Sequence, residues 1–231
     1  MTKQEFLDSF FLHYTMDNLN SPGVTPLEIS NYASKIVEEL VIQKYKDFEV
    51  TEKLTEDLGE LVRYKTFNSF TNLPSIPNSV YITLPNTLLL SSSDFSDVYW
   101  FTIYEDCLID KLDCSGTNTN LKATIIPVTH GELKVALSDP FRKPYYKNNK
   151  AKVLRARSEN RTQSLSTDGT FNITSYTLGY IKRPLPIDLT TSLTSQFCEL
   201  SNELHKEVLD KTILKIKEIN GEFVKPVSVE Q

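Results

Sequence analysis

Apolar residues fall three and four apart at both ends of the chain and two apart in the middle, dividing it into helical and β-rich parts. At the start, Phe6, Leu7, Phe10, Phe11 and Tyr14 follow Thr2-Lys-Gln-Glu5, a threonine and a glutamate spaced to exchange hydrogen bonds across the first turn of a helix. Ser21-Pro-Gly23 stops that helix. Thr25-Pro-Leu-Glu28 repeats the signal with proline at the first helical position, and Ile29, Tyr32, Ala33, Ile36, Val37, Leu40 and Val41 make one continuous stripe. A third helix is expected from about Thr51, with Leu54, Leu58, Leu61 and Val62 on one side. From about residue 68, Pro74, Pro77 and Pro85 punctuate short β-rich runs: Val80–Leu84, Val98–Tyr104, Leu121–Ile126, Lys152–Arg155 and Phe171–Ile181. Turn signals at Ser115-Gly116, Asn118, Asn120, His130-Gly131, Asn148-Asn149 and Asp168-Gly169 separate them. Helical spacing returns in Leu204, Val208, Leu209, Thr212, Ile213, Ile216 and Ile219, capped by Ser201 or Asn202 and closed by Asn220-Gly221.

Between the last strand and the last helix stands Tyr180-Ile-Lys-Arg-Pro-Leu-Pro-Ile-Asp-Leu189. Proline donates no backbone hydrogen bond and holds its predecessor extended, so Pro184 and Pro186, after Tyr180, Lys182 and Arg183, predict a stiff arm leaving a sheet. A single terminal helix of about five turns cannot bury its stripe alone in water, and the N-terminal helices are the nearest apolar partners. The expected fold class is therefore α+β: N- and C-terminal helices forming a helical bundle, with an inserted antiparallel β-sandwich or barrel-like domain. Residues 1–67 are the first part of the bundle, 68–189 the β-rich insertion, 190–222 the completing helix and 223–231 a tail.

Composition narrows the chemistry. At 231 residues, 39% hydrophobic and 24% charged, the chain has the make-up of a soluble globular protein. Its apolar runs, Leu88–Leu90 and Val98–Phe101, are far too short to span a bilayer, and MTKQEFLDSF carries acids where a signal peptide needs an apolar stretch. Export by the usual route and a membrane partner are not expected. Cys107, Cys114 and Cys198 are odd in number without CxxC spacing, and His13, His130 and His205 stand in no ligand pattern, so no metal or cofactor is expected. No phosphate loop, GxSxG elbow or SxxK pair occurs, and acid pairs such as Asp106 with Asp110 or Glu56 with Asp57 are ordinary among thirty acids. No catalytic residue is assigned and no enzyme is expected.

The net charge of −5 is unevenly spread. Residues 1–66 hold twelve acids against seven bases, whereas Arg142, Lys143, Lys147, Lys150, Lys152, Arg155, Arg157 and Arg161 meet only Glu159 and Asp168 between 141 and 180. This block, interleaved with Tyr145 and Tyr146, suits phosphates through salt-sensitive contacts, or an acidic patch on another subunit, or a solvated loop. In an extended run Lys150, Lys152 and Leu154 share one face, and Val153, Arg155 and Arg157 the other. Tyr99, Trp100, Phe101 and Tyr104 suit ligand stacking or, as expected for an apolar run of this length, a buried strand.

Four stretches carry a family resemblance. They are SPGVTPLEISNYASKIVEELVIQKY (21–45), FEVTEKLTEDLGELV (48–62), THGELKVALSDPFRKP (129–144), and the arm and terminal helix from Tyr176 to Ile219, with YTLGYIKRPLPIDL, CEL and HKEVL. In these the chain resembles the head-to-tail adaptor, or ring, proteins of short-tailed, crAss-like bacteriophages. It departs at Asp139, where asparagine is commoner, and at Lys211, Lys215 and Lys217, where small residues are common. The resemblance implies a virion structural protein assembled in the host bacterial cytoplasm, a portal-to-tail adaptor forming a homo-oligomeric, dodecameric ring. Its implied partners are the portal protein, neighbouring tail ring or nozzle proteins, and double-stranded DNA passing through the ejection channel. His205 and Glu207 become packing or inter-subunit groups. Each subunit of a closed ring shows its neighbours two different patches, a role open to the acidic and basic regions. The alternative is a nucleic-acid-binding module using the basic segment 142–161.

Overall fold

A computed structural model describes residues 1–16, 23–46, 56–85, 98–113, 116–148, 150–157 and 162–220. Arg161, Cys114, the Leu88–Leu90 run, Ser21-Pro22, Ser115, Asn149, the start of the third expected helix, Gly221 and the tail 223–231 lie outside the described residues. Four α-helices are described: α1 (Lys3–Met16), α2 (Pro26–Lys46), α3 (Leu133–Ser138) and α4 (Asn202–Ile219). Nine strands accompany them: β1 (Val62–Phe67), β2 (Thr71–Asn72), β3 (Ser79–Thr83), β4 (Tyr99–Asp113), β5 (Gly116–Val128), β6 (Tyr145–Lys147), β7 (Lys150–Arg157), β8 (Thr162–Ser166) and β9 (Phe171–Lys182). The chain divides into two compact units, Met1–Leu61 with Arg183–Gln231, and Val62–Lys182.

In the first unit both expected capping boxes form. The Thr2 and Thr25 amides each donate to a carboxylate oxygen three residues on, at 2.9 Å, and the Glu5 and Glu28 amides donate back to the threonine hydroxyls at 3.2 and 3.3 Å. Helices α1 and α2 both pack on α4. Phe6, Phe10 and Tyr14 of α1, the Ile29 to Val41 stripe of α2, and Leu204, Val208, Leu209, Ile213 and Ile216 of α4 are buried. Phe6 stacks on Phe197 with centroids 3.7 Å apart, and the Asn220 amide donates to the Tyr14 hydroxyl at 2.8 Å. The third expected helix does not extend to Val62. Gly59–Leu61 is a 3₁₀ turn, and Val62 opens β1, opposite Ile181 of β9. Val62, Tyr64 and Thr66 are strand formers in alternate positions, and the ladder with β9 overrides their helical spacing. Residues 62–67 thus lie in the sheet, and 183–189 lie with the helices.

The second unit is one curled nine-stranded sheet, a half-barrel; of the two expected forms, sandwich or barrel-like, it is the barrel-like one, left open. Its order is β1-β9-β4-β5-β7-β8-β3-β2, with β6 also on β7. The sheet is not purely antiparallel, because β5 and β7 run parallel from the pair Ala123 and Ala151 to the pair Val128 and Ala156. A parallel pair needs a crossover, and α3 supplies it. Sequence periodicity misses this helix because six residues are too few to show a stripe. Its start carries a third capping box, in which the Thr129 hydroxyl donates to Glu132 at 2.9 Å and the Glu132 amide donates back at 3.3 Å.

Strand β7 is covered on both faces. Ala151 and Val153 join Ile82, Cys107, Ile109, Leu165, Tyr176, Leu178 and Tyr180 on the inner face, while Leu154 and Ala156 pack with Leu133, Ala136 and Ile76 on the other. The Tyr99–Tyr104 run is not the buried strand expected. Tyr99, Trp100 and Phe101 are half-buried and Tyr104 is exposed; the core contribution of β4 comes further on, at Cys107 and Ile109. Gly169 closes the turn into β9 with φ 82°, and a Cβ there would sit 2.7 Å from the Asn78 side chain.

Candidate interaction surfaces

The proline arm runs extended from Arg183 and joins no strand. Pro184 and Pro186 donate nothing, and the alternate amides that remain find side chains. Leu185 donates to Glu199 at 2.9 Å, Ile187 to the Ser34 hydroxyl at 2.9 Å and Leu189 to the Ser30 hydroxyl at 3.0 Å. Two residues of extended chain span about 6.7 Å and four of helix rise about 6 Å, so alternate arm amides match serines one turn apart on α2. Each serine hydroxyl donates to the carbonyl four residues back, Pro26 at 2.8 Å and Ser30 at 2.7 Å, leaving its oxygen free to accept. Arg183 adds an ion pair with Glu38 at 2.6 Å. Pro184, Ile187 and Leu189 are buried, while Leu185 and Pro186 face outward. Beside them opens a cleft of about 390 Å³ whose lining includes Tyr32, Pro184, Leu185, Pro186, Glu28 and Glu38.

The arm residues picked from the sequence therefore divide. Arg183 pairs with α2, Pro184 is buried and Pro186 faces outward, whereas Tyr180 and Lys182 are buried members of β9, with Tyr180 tilted against Tyr99. Sequence reasoning missed Ser30 and Ser34. Their signal is two hydroxyls one turn apart, set within and beside an otherwise apolar stripe.

The eight bases also divide. Arg142, Lys143, Lys147 and Lys150 are exposed, and Arg161 lies outside the described residues. Lys152 is half-buried, over the Tyr145 ring, and donates to the Phe141 carbonyl at 3.3 Å. Arg155 and Arg157 share a face as alternation requires, and it is the inner one. Arg155 lies 2.9 Å and Arg157 3.8 Å from the Glu105 carboxylate. Arg157 donates to Gln163 at 3.2 Å and to Thr102, and Tyr176 donates to Glu105 at 2.6 Å while accepting from Gln163. Burial, with the neighbouring Glu105 charge, pushes the Tyr176 phenol far above its ordinary value and keeps it a donor. Two of the bases named for a surface thus neutralise an interior acid.

The turn between α3 and β6 is tightly built. The Asp139 carboxylate accepts from the Phe141 amide at 2.9 Å, and the Asp139 carbonyl accepts from Arg142 at 3.2 Å and Lys143 at 2.9 Å. On this fixed backbone the Phe141 side chain is 91% exposed. The stretch THGELKVALSDPFRKP contains this phenylalanine, but sequence reasoning gave it no role.

Charge follows the division of the chain. The helical unit carries twenty acids and eleven bases, net −9, and the sheet unit ten acids and fourteen bases, net +4. Among the described residues no cluster of three or more His, Cys, Asp or Glu side chains is arranged to hold a metal ion, and no helix is long and apolar enough to cross a membrane.

Comparison with known proteins matches residues 1–218 to the family model "Phage tail ring protein 3/4". Two proteins of Bacteroides phage crAss001 are similar along almost the whole chain. Ring protein 3 is 29% identical, covering 92% of this chain and 94% of that protein, and Ring protein 4/5 is 25% identical, covering 92% and 91%.

Proposed function

Because the chain belongs to the phage tail ring protein 3/4 family, whose members are structural components of the virion, we propose that it forms a homo-oligomeric ring joining portal to tail around the DNA ejection channel. The observation that carries this is the extent of the match, which runs from the first residue to the last turn of α4 and so reaches into both compact units. Two further features support it. The units have opposite net charge, which favours a head-to-tail contact between identical subunits, and the arm that follows the sheet is tied to α2 by Ser34 and Ser30. In the proposed assembly the ring is a dodecamer put together in the host cytoplasm. Its helical unit meets the portal and its sheet unit meets the next ring or nozzle protein. DNA passes without sequence readout, through backbone contacts alone. A free nucleic-acid-binding module is less well supported, since Arg155 and Arg157 are held by Glu105.

Quantitative mass spectrometry of purified phage particles tests the proposal. A copy number equal to the portal's, or a simple multiple of it, is expected. Absence from the particle ends the ring assignment.

A further inference from the structure

Phe141 is the most exposed large apolar side chain among the described residues, and it stands on a backbone that cannot easily retract it. Its amide and carbonyl are both engaged, by Asp139 and Lys152, and Pro140 and Pro144 flank the turn. An aromatic ring held ready in this way loses little conformational freedom on docking, the property that makes such residues dominant anchors in interfaces. Arg142 and Lys143 follow it, both exposed, so the anchor presents one ring and two cations together.

The helical unit offers a matching recess. The cleft between the arm and α2 is walled by Tyr32, Pro184, Leu185 and Pro186, with Glu28, Lys35 and Glu38 along it, Glu38 being already paired with Arg183. Its apolar wall suits an aromatic side chain, its Glu28 carboxylate suits a flanking cation, and it belongs to the unit of net charge −9, while Phe141 belongs to the unit of net charge +4. A ring needs such a pair of unlike patches on every subunit, and a like-charged partner is discouraged on both sides. Resting on the ring assignment above, we infer that the Phe141-Arg142-Lys143 turn of one copy docks in the Tyr32–Pro184–Pro186 cleft of a second copy of this chain.

Full-length chain carrying the photo-cross-linker in Phe141→p-benzoylphenylalanine, prepared as an equal mixture of ¹⁴N and ¹⁵N protein, tests this directly. The expected products are mixed-label pairs joining position 141 to peptides from 26–38 or 184–187. Cross-links to any other segment, same-label pairs only, or a chain that stays monomeric overturn the inference. Phe141→Ser is the companion variant. Since the side chain is exposed, it should keep the parent's circular dichroism and melting temperature while losing the oligomer in native mass spectrometry; a variant that oligomerises like the parent also overturns the inference. The particle copy number is measured independently, so a ring assembled through other surfaces is distinguished from the absence of a ring.

Discussion

Glu105 shows how far a single interior carboxylate governs the sheet unit. It takes Arg155, Arg157 and the Tyr176 hydroxyl at once, with the Glu105 and Arg155 side chains only 13% and 14% exposed. Removing the charge leaves the buried Arg155 guanidinium without its counter-ion, so Glu105→Gln is expected to cost about 3 kcal/mol, measured by urea unfolding followed at the aromatic side chains. An unchanged midpoint shows that Arg155 and Arg157 need no counter-charge. His205 gives a pH dependence of definite sign. Burial, reinforced by the nearby N-terminal charge and opposed by hydrogen bonds to Leu200 and Cys198, lowers its pKa, so it is neutral in the fold. The unfolded chain binds a proton below about 6.5, the folded chain only at lower pH. Its contribution to stability is therefore present above pH 6.5 and is lost as pH falls toward the folded value. His205→Gln should narrow the gap between urea midpoints at pH 7.5 and 5.5; an equal gap in the variant assigns the dependence to other groups. From sequence, alternation correctly paired Arg155 with Arg157 on one face, but Glu105 lies fifty residues earlier, and no local pattern says which face of a curled sheet is inward.

Elements were legible where their period had room to repeat. Helix α2, α4 and the long strand β9 follow their stripes, and the capping boxes at Thr2 and Thr25 fix the helix starts. Short elements escaped: α3 has six residues, β6 three and β2 two, each below the length at which helix and strand periods part. The parallel pairing of β5 with β7 escaped for the same reason, since the crossover helix is its only sequence sign. Helix α4 carries the clearest energetic test. Ile216 is 3% exposed, on the stripe that packs toward α1 and α2, and Ile216→Ala should cost about 2–5 kcal/mol in helix-monitored unfolding. A loss below about 1 kcal/mol is incompatible with the close packing of that stripe.

At the scale of the whole molecule, the chain crosses from the helical unit to the sheet unit at Val62, a residue that fits the stripe of Leu54, Leu58 and Leu61 and the alternation with Tyr64 alike until β9 is beside it. The structure makes the insertion's two ends neighbours: Val62, the first residue of the sheet unit, is the register partner of Ile181, one residue before its last. Partners in an antiparallel ladder lie about 5 Å apart at Cα. A gap that small can be bridged by a tight turn, so the sheet unit is built like a cassette. Its loss, or its replacement by a foreign segment with paired ends, asks for only two junctions, far apart in the coding sequence but neighbours in the fold. A lineage of proteins constructed on this plan can diversify its sheet unit by recombination and keep its helical unit in continuous use.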